Sequence, residues 1–347
     1  MTTSRRSIAF VSMGHFPSGF RIGGIATLMA GWAQEFASSF DVHMLAVYDA
    51  VPKNVDEAFA AYGDRLVDCR KHAVGSLEEA RIRLETVDVV SIHQEPQWLP
   101  WLPPASVMMH NAPPPAPDGS IGPWQDAGLT TSFAAASSVQ ACSQWLGDQI
   151  RAEMGVDPDV VPPFVSQEFF SSSRGAKRPH ALFAGRLVTD KGALDAAAAA
   201  GEAGVPLLVT DTSIPGHTES QNIRDRLASM HHVSLIPAPA SPRQMASLLA
   251  EASAVLMPSV GEPFGLVSIE AQASRTWTLA YLDGGLPETL GPAAVGIPVG
   301  DVDSLAGALR AAVRKPIVPD SARDWIRCRF SRRHSAAMLA CSLGVTV

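Results

Sequence analysis

Pro258-Ser-Val-Gly-Glu262-Pro-Phe-Gly265-Leu-Val-Ser-Ile-Glu270-Ala-Gln-Ala273 stands between an apolar run, Ala254–Met257, and the helical pattern Ser268–Ala273. A strand, a glycine turn and a helix in that order make a βα unit. The turn Phe264-Gly265-Leu266 leaves the first N–H groups of the helix unpaired and aimed forward, which suits a phosphate or sugar oxygen. Glu262 lies on the loop ahead of that turn and Glu270 about two turns further on. At those places Glu262 is positioned to accept hydrogen bonds from sugar hydroxyls and Glu270 from a ribose. The plainer alternative is a carboxylate that complements the helix dipole and a second one on the surface.

The same alternation runs the length of the chain. Strands are predicted at Ser7–Ser12, Asp41–Val47, Val87–Ile92, Ser106–His110 and Ser138–Ala141, with helices near Ile25–Ser38 and Gln144–Met154. After Gly155–Lys177, rich in Pro, Ser and Gly and read as a linker, strands resume at Ala181–Ala184, Leu207–Thr210, Val233–Ile236, Ala254–Met257 and Thr278–Tyr281. Helices near Gly192–Ala203, Asn222–Met230, Pro242–Glu251 and Ser268–Ala273 separate them. The fold class is α/β, and 347 residues suffice for two domains at roughly 100–200 residues each. Two Rossmann-like sheets facing a central cleft are expected, with ligands at the strand ends.

Composition narrows the chemistry. Apolar residues make up 46% and charged ones 18%, and the net charge of -7 argues against nucleic acid as the main partner. Ile8–Met13 is too short for a signal peptide, and no run reaches the roughly 20 apolar residues of a membrane span. A cytoplasmic enzyme without a stable membrane anchor is expected. Cys69, Cys142, Cys328 and Cys341 lack CxxC spacing and read as reduced, buried small hydrophobes, not as a disulfide framework or a zinc site.

Further motifs fall in order. Phe183-Ala-Gly185-Arg186-Leu-Val-Thr-Asp-Lys191-Gly192 ends one strand with two cations. Asp283-Gly284-Gly285-Leu286-Pro287-Glu288 and Gly300-Asp301-Val-Asp303 follow the glutamate stretch. Asp301-Val302-Asp303 reads either as a metal-binding Asp-x-Asp or as a helix N-cap, and its place at a helix start favours the cap. Near the N-terminus, Gly23-Gly24 opens a helix and lets the backbone approach a ligand closely, or is an entry turn with no ligand. His93 and His110 end predicted strands, where either catalytic or structural histidines occur. In Glu95-Pro-Gln-Trp98-Leu-Pro-Trp101-Leu-Pro-Pro104, the two tryptophans form either an apolar wall for an acceptor or cover over a core edge.

The glutamate stretch resembles the signature of the family four retaining glycosyltransferases of GT-B fold (GT4), Glu-x7-Glu in a Glu-Pro-Phe-Gly-Leu-x-x-x-Glu-Ala setting. The Gly185–Gly192 element is similar to the family's Gly-Arg-Leu-x-x-x-Lys-Gly, and Gly284-Gly285 to its Gly-Gly-x-Pro-Glu loop. The resemblance implies a hexosyltransferase that moves a hexose-type sugar from a nucleotide-sugar, UDP by preference, to a small soluble acceptor such as a cyclitol or secondary metabolite. Retention of configuration is implied, with no cofactor and no metal.

By the same resemblance the catalytic residues are His110, Arg186, Lys191 and Glu262. Donor contacts fall to Gly24, Gly185, Arg186, Lys191, Glu262, Phe264, Gly265, Leu266, Val267 and Glu270, and acceptor-side contacts to Gly23 and His93; Trp98 and Trp101 join the acceptor side from their own loop, which is unusual for the family. The implied domains are 1–165, joined by a returning C-terminal helix at about 333–347, for the acceptor, and 166–332 for the nucleotide sugar. Arg275 and Trp277 stand where the family commonly has Gly and Pro, and Thr210-Asp211-Thr212 replaces a Gly-x-Gly turn. The competing readings are a non-catalytic sugar-nucleotide-binding protein, a glycosidase and a nucleotide-sugar epimerase. A glycosidase needs carboxylates opposed across the bond, which a loop residue and one in the adjoining helix do not supply.

Overall fold

A computed structural model describes residues 5–13, 24–48, 55, 59, 65–111, 127–171, 177–213 and 216–347. The chain divides into two compact units, residues 1–164 with 332–347, and residues 165–331.

In the first unit seven strands form one parallel sheet in the order β3-β2-β1-β4-β5-β6-β7. They are β1 (Ser7–Met13), β2 (Asp41–Val47), β3 (Cys69–Val74), β4 (Val89–His93), β5 (Ser106–Met109), β6 (Val139–Ala141) and β7 (Asp159–Val160). Helices α1 (Gly24–Phe36), α2 (Leu77–Leu84), α3 (Ala127–Ala134) and α4 (Gln144–Met154) come from the same stretch of chain. A parallel sheet needs cover on both faces, which is why Ile8–Val11 of β1 are fully buried. Phe10 meets Phe36 of α1 edge to face at 5.5 Å. Ser76 and Ser143 cap α2 and α4 through their hydroxyls, and Gly155 closes α4 in the left-handed conformation.

The second unit has six parallel strands in the order β10-β9-β8-β11-β12-β13. They are β8 (Arg178–Phe183), β9 (Leu207–Asp211), β10 (Val233–Pro237), β11 (Ala252–Met257), β12 (Trp277–Tyr281) and β13 (Ala294–Ile297). Its helices are α5 (Gln167–Phe170), α6 (Ala193–Ala203), α7 (Thr218–Ala228), α8 (Pro242–Glu251), α9 (Leu266–Ala273), α10 (Val302–Arg314) and α11 (Asp320–Arg329). All six residues of β11 are buried, and the alanine face of α6 lies in the core beside Leu256 and Tyr281.

The final helix, α12 (Arg332–Ser342), belongs to the first unit. The indole N–H of Trp32 in α1 donates to Ser335 Oγ at 3.0 Å, and that hydroxyl donates to Pro162 O at 2.6 Å. Arg332 pairs with Glu35 at 2.6 Å.

Each sheet reverses its strand order once, between β1 and β4 in the first unit and between β8 and β11 in the second. At such a reversal the loops leaving neighbouring strands diverge to opposite faces and open a crevice at the carboxyl ends.

Two readings of the sequence need correction. The stretch Gly155–Lys177 does hold the boundary between the two units, but it is not a bare connection: it contains β7 and α5 and buries Val161, Phe164, Val165 and Phe169. Only Cys142 is a buried thiol; Cys69 is half-buried, and Cys328 and Cys341 are exposed.

Candidate functional site

In the second unit the loops after β8, β11 and β12 meet at the strand reversal. Gly192 ends the turn after β8 with φ +69°, and a Cβ there would collide with Pro258 O, so only glycine lets this turn rest on the loop after β11. Val260 N donates to Asp190 O at 2.8 Å, locking the two loops. From the other side, Gly284 and Gly285 press against the backbone of Glu262 and Pro263, and Gly285 N donates to Glu262 O at 2.7 Å. Gly261 N donates to Asp283 Oδ2 at 2.5 Å. Glu262 is therefore held by its backbone from both flanks.

Its side chain pairs with Lys191, Nζ to Oε2 3.0 Å, with side chains only 12% and 18% exposed. Lys191 also lies 3.4 Å from Asp190. Arg186 is exposed and has no ion pair or hydrogen bond with the described residues. Thr212 Oγ1 donates to Gly185 O at 2.7 Å and ties the end of β9 to the end of β8.

Helix α9 begins at Gly265, φ +99°, which supplies no side-chain cap. The amides of Leu266 and Val267 thus open the helix beside Glu262, with Phe264 buried beneath them. Glu270 sits one turn later, and helical side chains lean toward the N-terminus, back over that opening turn. Glu270 is half-buried as a residue, its carboxylate has no partner among the described residues, and burial pushes its carboxyl up to about 8. A carboxylate crowded by protein and lacking a donor is poised for a ligand that brings hydroxyls.

Asp301 serves as the cap of α10, its side chain accepting from Ser304 N at 2.9 Å.

In the first unit the two histidines come together. His93 Nδ1 and His110 Nε2 lie 3.0 Å apart with the rings stacked at 5.3 Å and 20°. Ser91 Oγ is 3.3 Å from His93 Nε2. Trp32 borders both rings at 5.6 and 6.0 Å, and Phe10 borders His93 at 5.7 Å. His110 retains 7% of its surface and His93 none, so the acceptor-side contact read for His93 gives way to a contact with His110.

The structure divides the tryptophan pair. Trp98 is 4% exposed and serves as core, whereas Trp101, at the end of the same 3₁₀ turn, is 67% exposed. Gly24 opens α1, and Gly23 lies outside the described residues.

Residues 165–328 match the family model of glycosyl transferases group 1. The second unit is a group 1 glycosyl transferase domain. Beyond that domain, the chain as a whole is similar to glycosyltransferases of GT-B fold. It is 38% identical over 96 residues to a D-inositol 3-phosphate glycosyltransferase of Mycobacterium avium, 27% of this chain and 22% of that one. The chain spans less than half the length of the first curated relatives it matches.

Two solved structures share the fold. A sucrose-phosphate synthase of Thermosynechococcus elongatus matches with TM-score 0.79 and 17% identity over 96% of this chain and 97% of that one. Anabaena Alr3699/HepE in complex with UDP-glucose matches with TM-score 0.74 and 15% identity over 97% and 99%.

Two residues that no sequence motif marks also shape loop ends, Thr212 in the second unit and Gln94 in the first. Thr212 stands where a glycine is usual, and its hydroxyl holds the Gly185 carbonyl. Gln94 closes β4 in the first unit. It is one of two non-glycine residues at positive φ among the described residues, at 71°, and its side-chain oxygen accepts from His110 N at 2.8 Å and Asn111 N at 2.9 Å. The other is Arg275, φ 59°, which occupies the left-handed position for which the family commonly uses glycine. No local pattern marks Gln94; only a long-range pairing of two strand ends reveals it.

Proposed function

We propose that the chain is a retaining glycosyltransferase that takes a hexose-type sugar from a nucleoside-diphosphate donor, UDP by preference, to a small soluble acceptor, acting in the cytoplasm. The observation that carries this reading is the convergence in the second unit of Lys191, Glu262, the uncapped start of α9 and the partnerless Glu270 at one strand reversal. UDP is supported by the UDP-glucose in the Alr3699/HepE structure, and a cyclitol-type acceptor by the name of the Mycobacterium avium relative.

In this reading Glu270 accepts hydrogen bonds from the donor ribose, while the Leu266 and Val267 amides and Arg186 receive the diphosphate. Lys191, held ready by Glu262, turns to the β-phosphate as the sugar–phosphate bond breaks. Negative charge grows on that phosphate, so fixed cations and amides there stabilise the transition state more than the bound donor. They meet the charge demand that a divalent ion meets in other sugar transferases, and no metal is invoked. Glu262 orders the sugar hydroxyls, and the departing phosphate takes the acceptor's proton. The first unit supplies the acceptor side, with His110 at the reaction centre.

The test is UDP release from UDP-glucose and related donors, with and without a cyclitol panel, for wild type, Lys191→Met and Glu262→Gln. Acceptor-dependent release that falls about 10²–10³-fold in Lys191→Met supports transfer. Release independent of acceptor indicates a hydrolase, conversion of the donor without release an epimerase, and binding without turnover a non-catalytic protein.

A further inference from the structure

Two separate devices hold His110, one on its ring and one on its backbone. Gln94 keeps a left-handed backbone, which costs a non-glycine residue on the order of 1 kcal/mol or more. That conformation accompanies a side-chain clamp on the next strand end: the carbonyl of Gln94 receives the N–H groups of His110 and Asn111, and its amide returns to Asn111 O at 3.1 Å. On the ring side, His93 is fully buried between Phe10 and Trp32, a place that an apolar side chain would fill without leaving polar atoms to satisfy. Both of its nitrogens are engaged, Nδ1 with His110 and Nε2 with Ser91.

The proton order along this chain follows from Ser91. Its hydroxyl is fully buried, and His93 Nε2 is its hydrogen-bond partner among the described residues. If His93 Nε2 carried the proton, the Ser91 O–H would be buried without an acceptor, a loss of roughly 1–3 kcal/mol. The favoured order is therefore Ser91 O–H donating to His93 Nε2, and His93 Nδ1–H donating to His110 Nε2. His110 Nε2 is then an acceptor, and in the neutral ring the proton resides on Nδ1.

We propose that His93 is a positioning residue that fixes His110 as the neutral Nδ1–H tautomer, so that His110 meets its substrate as a hydrogen-bond donor and not as a base. The tautomer follows from the geometry of the first unit; its consequence for sugar transfer rests on the function proposed above. A donor at this place suits a sugar hydroxyl oxygen, and a ring that cannot accept a proton at Nδ1 leaves the acceptor's proton to the departing phosphate.

The test reads the imidazole nitrogens of ¹⁵N-histidine-labelled full-length protein by NMR, with His110 identified through His110→Gln. Wild type is expected to show a pyrrole-type Nδ1 and a pyridine-type Nε2. His93→Phe keeps the ring between Phe10 and Trp32 but removes the donor, and Ser91→Ala removes the lock; both should shift His110 toward Nε2–H. His93→Asn places an amide N–H near the lost Nδ1 and should restore the wild-type pattern.

With UDP-glucose as probe, His93→Phe should lower kcat about tenfold with donor Kd unchanged, and His93→Asn should recover most of it. An Nε2–H tautomer in wild type, or a pattern unmoved by His93→Phe, overturns the proposal. Wild type inert toward UDP-glucose, yet with the Nδ1–H tautomer and its loss in His93→Phe, sinks the transferase reading and upholds the positioning role.

Discussion

Glu270 illustrates how much a single side chain in α9 can report. Burial pushes its carboxyl from an ordinary value near 4.5 up to about 8, so the folded chain holds a proton that the unfolded chain has released across that window. Stability attributable to this group is complete below pH 4.5, declines as pH rises, and is lost above about pH 8. Glu270→Gln removes the ionisation, so the variant and wild type should melt alike near pH 5, with the variant more stable at pH 8.5. The expected gap is on the order of 1–3 kcal/mol, less than the full shift because the residue keeps some exposure, and thermal melts at the two pH values measure it. Equal melting temperatures at pH 8.5 would remove the argument for a desolvated carboxylate. The spacing of Glu262 and Glu270 was legible in the sequence; the lack of a partner for Glu270 was not, because it depends on which distant side chains fold near it.

At the scale of elements, the loops of the second unit owe their approach to glycine. Gly192 and Gly204 share nearly the same φ, +69° and +67°, but a Cβ at Gly192 strikes the Pro258 carbonyl while one at Gly204 meets nothing within 4 Å. Gly204→Ala should cost about 1 kcal/mol, the conformational term alone. Gly192→Ala should cost about 3 kcal/mol or more and weaken nucleotide-sugar binding as well, since the turn carrying Lys191 must move off the Glu262 loop. Thermal melts and donor titration of the two variants make the comparison; equal penalties would show that the two loops are not closely fitted.

The central strands and the turn–helix of α9 could be read from apolar runs and glycine placement. The edge strand β3, Cys-Arg-Lys-His-Ala-Val, could not, since a sheet edge carries charged residues and loses the apolar pattern. β7 and α5 escaped for a different reason: each is very short, and the packing of Phe164 and Phe169 is a tertiary fact that a Pro-rich stretch conceals.

For the molecule as a whole, the last helix is part of the first unit's core. Ser335 accepts from Trp32 and donates to Pro162, and Trp32 in turn borders the His93–His110 pair. Ser335→Ala leaves a buried indole N–H without its acceptor, a loss of roughly 1–3 kcal/mol. Hydrogen exchange should quicken in Gly24–Phe36 and stay unchanged in Leu266–Ala273, because the disturbed contacts lie within one unit; equal quickening in both would contradict that partition. The alternation of strands and helices announced two α/β units, and the glutamate motif pointed to the second unit as the donor side. The histidine pair was visible only as two separate strand-end residues, since their contact joins β4 to the end of β5. Binding of a nucleoside-diphosphate sugar by the second unit through Arg186 and Glu270, as proposed, is tested by calorimetric titration with UDP- and GDP-sugars, without added metal. Wild type should bind a UDP-sugar with roughly micromolar affinity, weakened about tenfold or more in both Glu270→Ala and Arg186→Ala. No binding of any nucleotide sugar, or wild-type affinity in both variants, would contradict it.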